Sequence, residues 1–341
     1  MNSAARSPRP AALCGVALVW LALSTPGSGA GESYVPTEPD TGAGGEDKSF
    51  LALPTTRDHI GRVVIPVKIN GQGPFRFIVD TGAEHSTISP ALVQALGLHP
   101  SPESQIVLDG ITGTAQVSFV TVQQLQAGDL TIDGLALPVV STPVMAGADG
   151  ILGAAGLTEK NLLIDFQRNW VAISRSLGSD RREALTKIHA TRLTHGLIAV
   201  DTRVGGVRVH AVVDTGAERT LGNLALRQAL KAHRDAGHTA YVTSVYGATE
   251  EIEPGEIQAA PPIVIDTLRI NDVSIVFGSF HIFKVWGMED EPAMIIGMDV
   301  LGTVASLCID FKNEAVYVGS RPASQDLHAT LHEYSNNNSR K

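Results

Sequence analysis

Phe77-Ile78-Val79-Asp80-Thr81-Gly82-Ala83-Glu84 and Ala211-Val212-Val213-Asp214-Thr215-Gly216-Ala217-Glu218 are one phrase written twice, 134 residues apart (214 minus 80). Downstream, Ile151-Leu152-Gly153 answers to Ile295-Ile296-Gly297, and Ile164-Asp165-Phe166 answers to Ile309-Asp310-Phe311. A lone Asp-Thr-Gly is a weak signal, because Asp and Gly are common turn formers. Two copies at the exit of apolar runs, with the same landmarks after each in the same order, imply an internal duplication. A duplication that kept only a structural turn is the bland alternative.

Each half reads as mostly strand. Val63 to Ile69, the turn-forming Asn70-Gly71-Gln72-Gly73-Pro74 and the apolar Phe75 to Val79 predict a hairpin that delivers Asp80 at its exit, and Val207 to Val213 delivers Asp214 likewise. Helical spacing covers Pro90 to Leu98 and Asn223 to Ala236, and later strands are expected over Leu130 to Val140 and Leu268 to Phe277. The expected architecture is mainly β: two pseudo-twofold-related β-barrel lobes with few short helices. The expected organisation is a signal peptide over 1–30, a flexible lead-in over 31–56, an N-terminal lobe over 57–178 and a linker over 179–195. A C-terminal lobe over 196–320 and a flexible tail over 321–341 complete it.

Composition fits that body. Of 341 residues 43% are hydrophobic and 18% charged, and 34 Gly with 18 Pro favour turns over long helices. A formal charge of −9 argues against a nucleic-acid surface. Arg6 and Arg9, the apolar run Ala11 to Leu23 and the small residues Ser28-Gly29-Ala30 read as an export signal, so a periplasmic or secreted protein is expected, with an uncleaved anchor as the alternative. No stable membrane span is expected after cleavage. Cleavage removes Cys14 and leaves Cys308, in an apolar run, as a buried strand residue. His328 and His332 lack a third ligand nearby, so no metal and no cofactor are expected.

Two carboxylates set side by side by a pseudo-twofold axis cannot both ionise cheaply; one proton is shared and the pair's macroscopic pKa values separate. The ionised member can take a proton from a water held between them, while the protonated one donates to a peptide carbonyl oxygen. Asp80 and Asp214 are the candidate catalytic pair. Gly82 and Gly216 are expected to allow a tight turn and close approach of a substrate. Thr81 and Thr215 are expected to hydrogen-bond across the lobe interface.

Asp80-Thr81-Gly82-Ala83 and Asp214-Thr215-Gly216-Ala217, each followed by an apolar-apolar-Gly landmark, resemble the retropepsin group of aspartic proteases, in which Ala follows Asp-Thr-Gly. The stretch Ile295-Ile296-Gly297-Met298-Asp299-Val300-Leu301 is close to that family's second signature. The arrangement also resembles bacterial exported aspartyl proteases with two fused domains. The resemblance implies a peptide or protein substrate, a cleft between the lobes, Ala83 and Ala217 supporting the aspartates, and hairpin flaps above. It also implies a monomer, since both lobes are in one chain.

Flap candidates are Asp109-Gly110-Ile111-Thr112-Gly113 and Val245-Tyr246-Gly247-Ala248, so Gly110, Ile111, Tyr246 and Gly247, with Glu84 and Glu218, are the candidate substrate-binding residues. One departure matters: retropepsins commonly carry Arg after the landmark to pair with the acidic residue after Asp-Thr-Gly-Ala, whereas Ala154 and Met298 stand here. The expected activity is that of an endopeptidase cutting apolar segments on the acid side of neutrality. The alternative is a peptide-binding module that kept the fold without cutting; a structural or assembly protein has only composition behind it.

Overall fold

The computed structural model of the chain describes residues 12–16, 20–21, 52–58, 60–100, 105–141, 143–175, 185–193, 196–232 and 241–320. It contains two β lobes of the same plan. In the first, Val63–Ile69 and Gln72–Val79 pair antiparallel, with Val64 opposite Ile78. Asn70 and Gly71 both take left-handed φ values, 52° and 76°, as a two-residue hairpin turn requires. The turn is thus shorter than the expected 70–74, and Gln72 to Pro74 already belong to the strand. The second lobe repeats the device with Ile198–Val204, Val207–Val213 and the turn Gly205–Gly206.

The landmark strands close each lobe. Gly150–Leu152 runs parallel to Gln72–Val79, with Leu152 beside Val79, and Ala293–Ile296 runs parallel to Val207–Val213, with Ile296 beside Val213. These strands are apolar on both faces because both are covered, as buried parallel strands are. Phe77, Ile78, Val79, Val212, Ile295 and Ile151 are all almost wholly buried. Each such side chain stabilises the fold by about 1.5–3 kcal/mol.

Helices occupy Pro90–Ala95, Leu224–Ala232, His281–Val285 and Met298–Leu301. Pro90–Ala95 begins where expected because the Ser89 hydroxyl accepts from the Leu92 N–H and Pro90 fits the first turn. The expected strand over 268–277 is two strands instead. Leu268–Ile270 and Ser274–Phe277 are separated by Asp272, whose φ of 57° breaks the extended backbone.

The lobes are joined by an antiparallel sheet in the order Ala52–Pro54, Trp170–Ser174, Asn161–Asp165, Ser306–Asp310, Ala315–Gly319, Thr186–Arg192. Asn161 lies opposite Asp310 and Asp165 opposite Ser306, so the pairing is symmetric about Leu163 and Cys308. The duplicated Ile-Asp-Phe segments are therefore the seam itself. Two expectations are corrected here. The lead-in over 31–56 ends in a strand, Ala52–Pro54, and the linker over 179–195 contains one, Thr186–Arg192. In that strand Ile188 and Ala190 are buried between outward Lys187 and His189. Only two inward apolar residues, one of them an alanine, among polar and charged neighbours gave too faint an alternation to be read.

Of the expected signal peptide, only the backbone of Ala12–Val16 and Trp20–Leu21 is described. The first runs parallel to Gln105–Gly110, the second antiparallel to Tyr241–Tyr246. The expected tail lies outside the described residues, and no helix among the described residues is long and apolar enough to cross a membrane. Cys308 is a fully buried thiol, as expected. With Cys14 replaced by Ser, the native protein should leave this thiol unreacted toward a polar disulfide reagent, and unfolding should release one equivalent; rapid labelling of native protein would contradict the seam described here.

Candidate active site

The hairpin strands Gln72–Val79 and Val207–Val213 end facing one another, and the turns that follow interlock. The Thr81 hydroxyl donates to the Val213 carbonyl at 2.7 Å and the Thr215 hydroxyl to the Val79 carbonyl at 2.7 Å. Each hydroxyl oxygen also accepts the other threonine's backbone N–H, at 3.1 and 3.2 Å. Four hydrogen bonds thus cross the lobe interface between fully buried groups, where an unmade bond costs most.

Within each turn the aspartate is fixed by its own backbone. Asp80 Oδ1 accepts from the N–H groups of Gly82 and Ala83, both at 2.9 Å. Asp214 Oδ1 accepts from Gly216 and Ala217 at 2.8 and 3.0 Å. Oδ2 of each carboxyl is buried and receives no N–H or hydroxyl donor, its side-chain neighbour being the other aspartate. A β-carbon on Gly82 would collide with the Asp214 carboxyl group, and one on Gly216 with that of Asp80. Each acidic group therefore rests on the other lobe's glycine. This amends the expectation for these glycines, neither of which has a left-handed φ: the close approach they permit is that of the opposite aspartate.

The landmarks buttress the turns. Ala154 and Met298 N–H donate to the carbonyls of Ala83 and Ala217, both at 2.8 Å, while Ala155 and Asp299 donate to those of Glu84 and Glu218. Gly153 and Gly297 are glycine because a side chain there would strike the turn backbone. Ala83 and Ala217 are fully buried. In place of the missing arginine, Glu84 meets His85 at 3.2 Å and Glu218 meets Arg219 at 3.8 Å, each within its own turn.

Burial raises the pKa of Asp80 to about 6, against the lowering effect of Asp214, the turn N–H groups and Arg62. Asp214 is pushed well above the usual carboxylate range by burial and by the adjacent Asp80 charge. Both directions follow from taking charge out of water, and the second from like charges in contact.

The flap candidates come together over the site. In the first lobe, Gln105–Gly110 and Thr114–Ala127 form a hairpin closed by the Gly110 N–H donating to the Gly113 carbonyl at 2.7 Å. In the second, Tyr241–Tyr246 pairs with Ile252–Ala259. The tips meet through Thr112 and Thr249, whose hydroxyls are 2.9 Å apart. Gly110, Ile111 and Gly247 are buried and Tyr246 is half-buried. Ala83, Leu108, Val144, Ile151 and Ala248 form one apolar cluster, against which Tyr246 packs, so the first lobe's Asp turn and the second lobe's flap share a wall.

Sequence reasoning missed three supports. The Ser86 hydroxyl accepts from Gly153 N–H at 3.1 Å. Thr220, its counterpart, donates to Asp299 at 2.8 Å while accepting from Gly297. Arg62 is buried with Asp58 at 2.7 Å. The first two follow the motif by two residues and could have been found by extending the alignment of the halves. A buried arginine near the start of an apolar strand leaves no periodic signal.

Two β lobes of one plan, meeting at interlocked Asp turns, define the acid-protease architecture. The aspartyl protease family model matches residues 65–155 and 200–300, one match in each lobe. The chain belongs to the aspartyl protease family, as a retropepsin-like protein of two fused domains with a protease-type function. No curated protein matches it.

Proposed function

We propose that the chain is an aspartic endopeptidase that hydrolyses peptide bonds through a water activated by Asp80 and Asp214. The observation that carries this reading is the pairing of two buried carboxyls, each locked at Oδ1 by its own turn, each seated on the other's glycine, with both Oδ2 atoms left for water and substrate. One carboxylate takes a proton from the water as its oxygen attacks the peptide carbon. The other, protonated, donates to the carbonyl oxygen. The resulting tetrahedral species collapses when the leaving nitrogen gains a proton and the C–N bond breaks.

An extended substrate is supported by the backbone at Ala12–Val16 and Trp20–Leu21. It lies parallel to one flap strand and antiparallel to the other, as a chain of one direction must when it meets two strands related by a twofold axis. Export, by the leader Arg6 to Ala30, and action as a monomer belong to the same proposal. The test is turnover of an unfolded protein across pH, with D80N and D214N as controls. Peptide binding without turnover at any pH would instead favour a non-catalytic module.

The flap contact yields a smaller effect. Thr112→Ala and Thr249→Ala should each raise KM a few-fold, since a hydrogen bond of this kind contributes about 1 kcal/mol. The double variant should be no worse than either single one, because both remove the same bond; additive losses would mean that the tips act separately.

A further inference from the structure

The two Asp turns hold their aspartates by the same hydrogen bonds, and an asymmetry between them lies one strand away. In the first lobe Val64 is opposite Ile78, so continuing the antiparallel register puts Arg62 opposite Asp80. In the second, Ala199 is opposite Val212, and the same continuation puts Leu197 opposite Asp214. The backbone turns leading into these strands are superposable in their bonding. Asp58 N–H donates to the Arg62 carbonyl and Gly61 N–H to the Asp58 carbonyl; Leu193 N–H donates to the Leu197 carbonyl and Gly196 N–H to the Leu193 carbonyl. Gly61 and Gly196 both have left-handed φ, 92° and 78°. Where one lobe carries Asp58 and Arg62, the other carries Leu193 and Leu197.

Arg62 is wholly buried. Its Nε donates to Asp58 Oδ2 at 2.7 Å, its Nη2 to the Val144 carbonyl at 2.6 Å, and its Nη1 has no protein partner. Cross-strand neighbours in an antiparallel pair project their side chains on the same face of the sheet, which puts the buried Arg62 charge on the side of Asp80. Arg62 is the cation that acts on Asp80, and the charge that acts on Asp214 is Asp80 itself. The other ionisable side chains at the turns are Glu84 with His85 and Glu218 with Arg219, matched in pairs, and Asp299. Asp299 accepts from Thr220, stands where the first lobe has Ala155, and is raised above the usual carboxylate range by burial, so that it disfavours a second charge on the Asp214 side.

We propose that Arg62, clamped by Asp58 and Val144, breaks the twofold symmetry of the pair, so that Asp80 is the charged member and the shared proton resides on Asp214. Resting on the hydrolytic reading above, this assigns its two roles: Asp80 takes the proton from water and Asp214 donates to the peptide carbonyl oxygen. Arg62 touches neither and is a positioning residue.

The test transfers the second lobe's solution to the first. Asp58→Leu with Arg62→Leu installs the pair that the same backbone turn already carries at Leu193 and Leu197, and exchanging a buried ion pair for apolar residues is often neutral for stability. Asp58→Asn with Arg62→Gln, neutral but still polar, stands in should the first variant not fold, and Arg62→Lys keeps the charge. All are made in the full chain. Removing the cation makes ionisation of Asp80 harder. The acid limb of kcat/KM should therefore move to higher pH by about 1 unit in the neutral variants, and Arg62→Lys should hold it near the parent position.

A carboxyl-carbon NMR titration reads the same equilibrium whether or not peptide is cut. The lower-titrating buried carboxyl, assigned to Asp80 by its loss in D80N, should shift upward in the neutral variants. An unmoved midpoint in folded protein, or loss of the lower-titrating signal in D214N in place of D80N, overturns the proposal. A shifted midpoint in a protein that cuts nothing upholds it and removes the hydrolytic reading instead.

Discussion

Replacing Asp80 with Asn is expected to cut turnover by about 10³-fold, the order of an acid–base contribution, while making the protein more stable at neutral pH. Both effects come from one cause. The pair is costly to ionise where it sits, and its cost is what makes one member hold a proton at working pH. Asn keeps the shape and still accepts the N–H bonds of Gly82 and Ala83, but it carries no charge. Asp80 is raised from 3.8 to about 6, so the native state binds this proton more tightly than the unfolded chain. The stability that this lends is complete below about pH 4 and is lost as the pH rises through 6; the loss is on the order of 3 kcal/mol at 1.4 kcal/mol per unit. The melting temperature of D80N should exceed that of the parent at pH 7, and the gap should close by pH 4. Asp214→Asn should behave alike, since burial and the neighbouring charge raise that group further. Cleavage at the parent rate by either variant, or equal destabilisation at both pH values, would contradict the pairing of these carboxyls.

How much of this was legible in the sequence depends on how local the cause is. The Asp turns were legible because the turn makes its own hydrogen bonds: Asp80 is held by residues two and three positions on. The threonine contacts reach across the lobes, and could be foreseen because the duplication put an identical residue at the symmetric place. The strand Thr186–Arg192 was missed since its partner, Ala315–Gly319, lies far along the chain and supplies the apolar context that its own residues lack. Leu268 to Phe277 looked continuous because apolar content does not report a left-handed residue at Asp272. Arg62 was invisible for a related reason. A cation at the mouth of an apolar strand reads as exposed until Asp58 and the Val144 carbonyl are seen to surround it. Its opposite number, Leu197, reads as ordinary core.

A single methyl group at Gly82 is expected to do more structural harm than removal of either threonine hydroxyl. Thr81→Val leaves the Val213 carbonyl and the Thr215 N–H without their partner and should cost about 1–3 kcal/mol. The lobes, however, can still meet. Gly82→Ala puts a β-carbon within 2.6 Å of Asp214 Oδ1, and nothing nearby can yield. The obstacle is a carboxyl pinned by Gly216 and Ala217, on a turn itself locked to the first lobe through Thr215. Relief requires moving one lobe away from the other, which breaks the threonine contacts as well. The expected loss is about 4 kcal/mol, the exceptional end of single-residue effects, with kcat/KM down by at least about 100-fold. Because the same collision is set up at Gly216 against Asp80, Gly216→Ala should match Gly82→Ala in both calorimetric stability and turnover. A large loss in one and none in the other would mean that the two carboxyls are not held on a common twofold axis, and that the water between them is not shared.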